Sequence, residues 1–426
     1  MKQRVLIFPC GTEIGLEIHR ALSGSIHFEM IGASSVADHG KYVYKEYVEG
    51  VPFVDSDSFI PAIQEICRKY HVDFIFPAHD SVVLKLAQYQ DRLPAQVITS
   101  ALETCEMARS KRKTYEKLKG VVPCPQVYSA DDLQIPFPVF AKPDVGQGSK
   151  GACKINSAQE LKMACRQNPN LIITEFLPGE EYTVDCFTDF RGELLFVGAR
   201  QRLRISNGIS VRTVPVQDSA LEQMAAEINR TCSFNGMWFF QVKKNSAGEY
   251  VLLELAPRIA GTMGLYRALG VNFAQLALYN AMGIEVHVLC NRFDIEMDRA
   301  LSARYKTNLQ YAYVYIDFDD TLVIDGHLNT KAIQFLYQAF NEHKKIILIT
   351  KHIHDIHNTL QKYALAENLF TQIIHLKPGE EKSSYITEKE AVFIDDSYSE
   401  RMRVWRQCSI PVFGIDALEA LIHEKN

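Results

Sequence analysis

The sequence predicts a multidomain α/β and α+β protein, and three observations carry that prediction. The N-terminal stretch alternates short apolar strands with amphipathic helices, the middle sets a glycine-rich loop and a long hairpin among further strands, and the last third holds buried strands that each end in polar residues. At 426 residues the chain exceeds one ordinary hydrophobic core, and a prior of about 150 residues per domain suggests two to four. Three fit the pattern, over 1–107, 108–308 with a lid at about 122–185, and 309–426.

In the first stretch, VLIFPC, FEMIGAS, VDFIFPA and QVITS read as strands, with helices through LEIHRALS and from Ser58 to Lys69 between them. Short buried strands alternating with helices argue for a doubly wound parallel sheet. Gly11 and Gly15 follow the first strand without the full dinucleotide-binding spacing, so they read as turn and helix-packing glycines.

The middle begins with PVFAKPDVGQGSKGACKI and LIITEFLPGEEY. Lys142 closes an apolar strand and would set a cation beside phosphate, while Gly146, Gly148 and Gly151 let backbone N–H groups approach phosphate oxygens. Glu175 and the backbone at Leu177 end a buried strand where an adenine edge would be read, and Glu181 would reach ribose hydroxyls. Downstream, GMWFFQVKK, NSAGE and YVLLELAPR form a hairpin that brings Gln241 and Glu254 onto neighbouring strands. Their oxygens suit magnesium. Arg258 follows at once, where charge develops during phosphoryl transfer.

This order of elements resembles the ATP-grasp superfamily, within it the carboxylate–amine ligases and the synthetase units of carbamoyl phosphate synthetase. The likeness covers about the first three hundred residues. It implies a pre-ATP-grasp sheet followed by the ATP-grasp fold, with ATP and magnesium as cofactors. Lys111 in ARSKRKTYEKLKGVVPCP matches a phosphate-contacting lysine better than Lys113, Lys142 matches the second lysine, and Glu175, Leu177 and Glu181 match the adenine and ribose positions. Gln241 and Glu254 match the metal positions and Arg258 the catalytic arginine. The family's Glu-x-Asn-Pro-Arg run is here Glu254-Leu255-Ala256-Pro257-Arg258, and an alanine ligates no metal, which leaves one or two magnesium ions open. The resemblance also places His79, beside Asp80, on the acceptor-substrate cleft, and Arg204 and Arg212 as contacts to an acidic substrate.

A net charge of −5 argues against a nucleic-acid partner, and no apolar run approaches the roughly 18 residues of a membrane span. Ten cysteines without a C-x-x-C pair fit reduced thiols in a cytoplasmic protein, and a homodimer is the default assembly.

The last third opens with YAYVYIDFDDTLV, whose two-residue period projects Asp317 and Asp319 together at a strand end. Two such carboxylates attract magnesium; one can attack phosphorus and the other protonate the leaving oxygen. KKIILITKH is a strand tipped by Thr350, IIHLKPGEEK supplies Lys377 and Lys382, and EAVFIDDSYSER ends in Asp395 and Asp396. The set resembles the haloacid dehalogenase superfamily over roughly the final 115 residues. That resemblance implies a Rossmann-like phosphatase domain with Asp317 as nucleophile, Asp319 as acid/base, Thr350 as phosphate-binding hydroxyl, and Asp317, Asp319 and Asp395 around magnesium. Lys382 is the preferred stabilising lysine, Lys377 the alternative. No cap domain fits the spacing, and the connection to the ligase half has no Gly/Ser/Pro linker, which implies close docking.

The expected activity is therefore an ATP- and magnesium-dependent ligase joining a carboxylate to an amine through an acyl phosphate, with a phosphatase acting on a related phosphorylated metabolite. Two alternatives stand beside it: a C-terminal domain used only for docking or oligomerisation, and a carbamoyl-phosphate-synthetase-like enzyme.

Overall fold

A computed structural model describes residues 2–423 apart from 131, 133, 147, 149, 207 and 306. The chain divides after Leu301 into two compact units.

The first unit opens with β1 (Gln3–Phe8), β2 (Phe28–Ser34), β3 (Glu46–Glu49), β4 (Phe74–Pro77) and β5 (Gln96–Val97), an all-parallel sheet in the order β3-β2-β1-β4-β5. The chain leaves β1 toward one edge and returns to its other side at β4, which opens a crevice beyond the C-terminal ends of those two strands. Gly15 explains the close approach of the first helix: a Cβ there would lie 2.4 Å from the Cys10 carbonyl oxygen. The short strand Glu46–Glu49 was not foreseen, because its alternation is too brief to register.

Next come β6 (Val127–Tyr128), β7 (Val139–Pro143), β8 (Cys153–Ile155) and β9 (Leu171–Glu175), a small antiparallel sheet in the order β6-β9-β7-β8. The helix Ala158–Gln167 is capped by Ser157, and its Leu161 packs with Val139, Ala141, Ile155 and Ile173.

The third layer is β10 (Glu181–Thr188), β11 (Leu194–Ser206), β12 (Ile209–Val216), β13 (Gly236–Lys244), β14 (Tyr250–Ala256) and β15 (Met297–Asp298), ordered β14-β13-β10-β11-β12-β15. Its register sets Glu254, Gln241, Thr183 and Arg200 side by side in one row across four strands. Packing does not break at residue 107: Val5, Ile7, Phe76 and Ile98 share one buried cluster with Phe187, Met237, Phe239 and Phe273.

The second unit holds β16 (Tyr313–Ile316), β17 (Val323–Ile324), β18 (His327–Leu328), β19 (Lys345–Thr350), β20 (Gln372–His375), β21 (Ala391–Ile394) and β22 (Val412–Phe413). Five of them form a parallel sheet ordered β20-β19-β16-β21-β22, and β17 and β18 make a small hairpin. Ile316 lies level with Leu348 and Ile394, so the residues after β16, β19 and β21 emerge together at one edge. Among the described residues no helix is long and apolar enough to cross a membrane.

Candidate active sites

The first cleft lies between the small sheet and the row on the large one. Lys142, at the end of β7, is buried and donates to the Tyr115 hydroxyl at 2.8 Å and the Leu253 carbonyl at 3.3 Å. Burial pulls its ammonium down to about 8, against the opposing pull of Glu254. Lys111 opens a helix whose cap is Ser110, braced by Asp144, and it lines the same cleft; Lys113 is exposed. Phe140, Phe176, Leu177 and Leu253 make one wall apolar, while Gly146, Gly148 and Lys150 form the loop wall. Gly148 and Gly151 both have positive φ, which suits glycine. Gly151 packs toward Pro143, and a Cβ there would lie 3.2 Å from Pro143 Cγ. Within this loop Gln147 and Ser149 lie outside the described residues.

Glu175 lines the cleft and holds Gln126 through reciprocal contacts of 2.9 Å, its side chain accepting Gln126 N–H and its own N–H reaching the Gln126 carbonyl. Glu181 is ion-paired with Arg202, whose Nη1 also donates to Gln241 Oε1 at 3.0 Å. Arg202 thus ties the ribose-side carboxylate to the metal-side amide. Gln241 and Glu254 face each other directly across β13 and β14. Their oxygen donors suit magnesium, and Ala256, two residues on, is buried in the apolar core and adds no ligand.

A second cleft adjoins the first, sharing Gly148, Arg202, Gln241 and Glu254, and reaches the crevice above β1 and β4 at Thr12, His79 and Asp80. Arg258 lies in it. Its guanidinium is held bidentately by Asp80, at 2.5 and 2.8 Å, and lies 5.1 Å from the centre of the Phe239 ring. His79 caps the helix Asp80–Gln88, its Nδ1 accepting from Ser81 N–H at 3.3 Å, and burial lowers its imidazolium.

The expectation for Arg204 and Arg212 requires correction. Arg204 pairs with Asp298 and Arg212 with Glu296, all four roughly half exposed, and neither arginine lines either cleft. The cause is an irregularity in β11 between Arg202 and Ile205, which breaks the alternation of faces. Arg200 and Arg202, on the regular side of that break, face the clefts instead. The clustered arginines were visible in sequence; the bulge that sorts them was not. Tyr115 and Arg109 were also missed. Arg109 joins the loop to the helix after β4, donating to Gly146 O at 3.4 Å and Ser81 Oγ at 2.9 Å.

In the second unit, Lys382 Nζ sits 2.7 Å from both Asp317 Oδ1 and Asp395 Oδ2, and all three are buried. Burial raises the Asp317 carboxyl and Asp395 pushes the same way, with Lys382 opposing both. Lys377 is exposed. Oxygens of Asp317, Asp395 and Asp396 lie within 4.8 Å of one another, a set that fits a hard cation. Asp319 stands apart from that group: its oxygens meet His352 Nδ1 at 2.9 and 3.0 Å, and His352 Nε2 meets Thr359 Oγ1 at 3.0 Å. Thr350 is fully buried at the tip of β19, its hydroxyl accepting from His352 N–H at 3.2 Å.

A family model described as "ATP-grasp in the biosynthetic pathway with Ter operon" matches residues 167–303. The carbamoyl phosphate synthase large chain of Thermoplasma acidophilum is 25% identical over 291 residues, covering 60% of this chain and 27% of that one. The chain thus spans little more than a quarter of that relative. Among solved structures, biotin carboxylase from Campylobacter jejuni aligns at TM-score 0.57 and 16% identity, over 68% of this chain and 72% of that chain. N5-carboxyaminoimidazole synthetase from Staphylococcus aureus, complexed with ADP, aligns at 0.55 and 14%, over 67% and 79%. An L-amino acid ligase from Bacillus licheniformis aligns at 0.53 and 17%, over 66% and 74%. With the sheets, the lysine-tipped strand and the paired Gln241 and Glu254 already in place, the first unit has the ATP-grasp fold.

Proposed function

We propose that the first unit is an ATP- and magnesium-dependent ligase that activates a carboxylate as an acyl phosphate and joins it to an amine. The observation that carries this reading is that the two clefts meet at Gln241 and Glu254, with Lys111 and Lys142 on one side and Arg258 on the other. Lys111, Lys142 and the loop from Gly146 to Gly151 hold the triphosphate. The wall of Phe140, Phe176 and Leu177 takes adenine, Glu175 its edge, and Glu181 the ribose. Gln241 and Glu254 hold magnesium, which neutralises phosphate charge. Arg258 stabilises the acyl phosphate and the tetrahedral oxyanion formed when the amine attacks. One of the similar proteins is named an L-amino acid ligase, which supports a ligase reading here. An ADP-release screen over pairs of amino acids and sugar acids tests it: a hit that requires both members supports ligation. ADP release that depends on bicarbonate alone would favour the carbamoyl-phosphate-like reading instead.

For the second unit we infer a haloacid-dehalogenase-type, magnesium-dependent phosphomonoesterase. Asp317 is the nucleophile, Asp319 the acid/base, Thr350 the phosphate-binding hydroxyl and Lys382 the stabilising cation. Asp317 and Asp395 hold magnesium with Asp396, Asp319 being turned to His352. The buried Lys382 between two carboxylates supports this reading over a docking module, because a purely structural role gains little from such a costly cluster. Hydrolysis of a chromogenic phosphate ester with magnesium tests it, and its absence would favour the docking role.

A further inference from the structure

The second unit holds one side chain to which the proposed chemistry gives no task. His352, two residues beyond the tip of β19, has a side chain 9% exposed, while that of Asp319 is 52% exposed. Its Nδ1 meets both Asp319 oxygens, at 2.9 and 3.0 Å, and its Nε2 meets Thr359 Oγ1 at 3.0 Å. The Thr359 hydroxyl already donates to the Asp355 carbonyl at 2.8 Å, a bond across the first turn of the helix Ile356–Lys362. Toward the ring it can only accept, which makes Nε2 the N–H donor of that contact. The imidazole is thus anchored at its far nitrogen, and its near nitrogen is left facing the carboxyl.

The rest of His352 is held as firmly. Its N–H donates to Thr350 Oγ1 at 3.2 Å, its carbonyl accepts from His375 Nε2 at 2.6 Å, and its ring stands edge-on to that of Phe318 with centres 5.2 Å apart. Phe318 separates Asp317 from Asp319, so this one residue joins the loop after β16 to the loop after β19. An aspartate as exposed as Asp319 would otherwise sample several rotamers. Two oxygens on a single nitrogen of a fixed ring leave its carboxyl one orientation. General-acid catalysis depends on that orientation, because the proton must lie within hydrogen-bond reach of the oxygen that receives it.

We propose that His352 is a positioning residue for Asp319, holding the acid/base carboxyl where it protonates the leaving group. The inference rests on the phosphatase reading of the second unit. In the step it serves, an Asp317 oxygen bonds to phosphorus, the ester P–O bond breaks with its electron pair passing to the leaving oxygen, and that oxygen takes the Asp319 proton. The products are an aspartyl phosphate and a free alcohol; His352 forms no covalent bond.

The test is kcat/KM of the full chain, with magnesium, on p-nitrophenyl phosphate and on phenyl phosphate. This ratio covers the reaction up to departure of the leaving group, and p-nitrophenolate needs the proton far less than phenolate does. His352→Leu should lower the value for phenyl phosphate about tenfold more than that for p-nitrophenyl phosphate, the share of one hydrogen bond. His352→Asn, whose amide can take the place of Nδ1, should restore most of the difference. Asp319→Ala should show the same selective loss, and adding His352→Leu to it should deepen that selectivity no further. Equal losses on both esters in His352→Leu, no loss on either, or a further selective loss in the double variant would overturn the proposal and leave the phosphatase standing. A wild type that cleaves neither ester would remove the phosphatase reading and the proposal with it.

Discussion

Arg258 gives Nε and Nη2 to the two carboxylate oxygens of Asp80, so a residue just after β4 fixes the guanidinium that follows β14. Burial alone would raise the Asp80 carboxyl, but Arg258 outweighs it and holds the group below the usual carboxylate range. The arginine is therefore presented in one orientation before any substrate arrives.

Breaking that pair should damage both stability and turnover. Asp80→Ala leaves a buried cation uncompensated and should destabilise the first unit by about 3 kcal/mol in denaturant unfolding. Arg258→Ala should lower carboxylate-dependent ADP release by about a hundredfold or more while ATP still binds. Arg258→Lys should not rescue it, since an ammonium cannot make the bidentate contact. Normal turnover in Arg258→Ala would remove this arginine from the mechanism.

Lys142 provides a pH signature. Its ammonium titrates near 8 in the free protein, below the value of an unfolded lysine. A polyphosphate beside it favours the charged form, so nucleotide binding near pH 8 should take up about half a proton per site. Calorimetry in buffers of different ionisation enthalpy reads this directly, and Lys142→Met should erase it. The linkage has a definite sign: between the folded and unfolded values the unfolded chain holds more protons, so this group's contribution to stability rises as pH rises from about 8. At neutral pH, Lys142→Met should therefore stabilise the free protein by on the order of 1 kcal/mol or more.

The arginines of β11 should sort by face. Arg202→Met should weaken ATP binding about tenfold, because Glu181 and Gln241 both lose their shared donor. Arg204→Ala, which removes an exposed ion pair with Asp298, should leave ATP and substrate constants unchanged. Comparable damage from both would contradict the placement of the bulge.

In the second unit, Asp317→Asn should be inactive on any phosphate ester that the wild type cleaves. Lys382→Ala leaves Asp317 and Asp395 facing each other without a cation, so this variant should unfold earlier than wild type without magnesium. Adding magnesium should then raise its melting temperature more than that of the wild type.

Much of this architecture was legible because strand tips are written in the chain. Lys142, Asp317, Thr350 and Asp395 each lie at or just past the end of an apolar strand. Lys382, preferred over Lys377, stands between the carboxylates of Asp317 and Asp395. What stayed hidden depended on register and on contacts distant in sequence. The irregularity in β11 turns Arg204 outward without any local marker, Asp80 meets Arg258 across 178 positions, and Asp319 leaves the acidic group for His352.

The Tyr115 hydroxyl has one proton, and it gives that proton to the Leu253 carbonyl at 2.7 Å. It can therefore only accept from Lys142, and Leu253 takes a further N–H of the same ammonium. One N–H of Lys142 is left to point elsewhere. The lysine is thus an aimed single donor rather than a diffuse positive charge, and an arginine in its place would present a flat fork where the cleft has room for one directed contact.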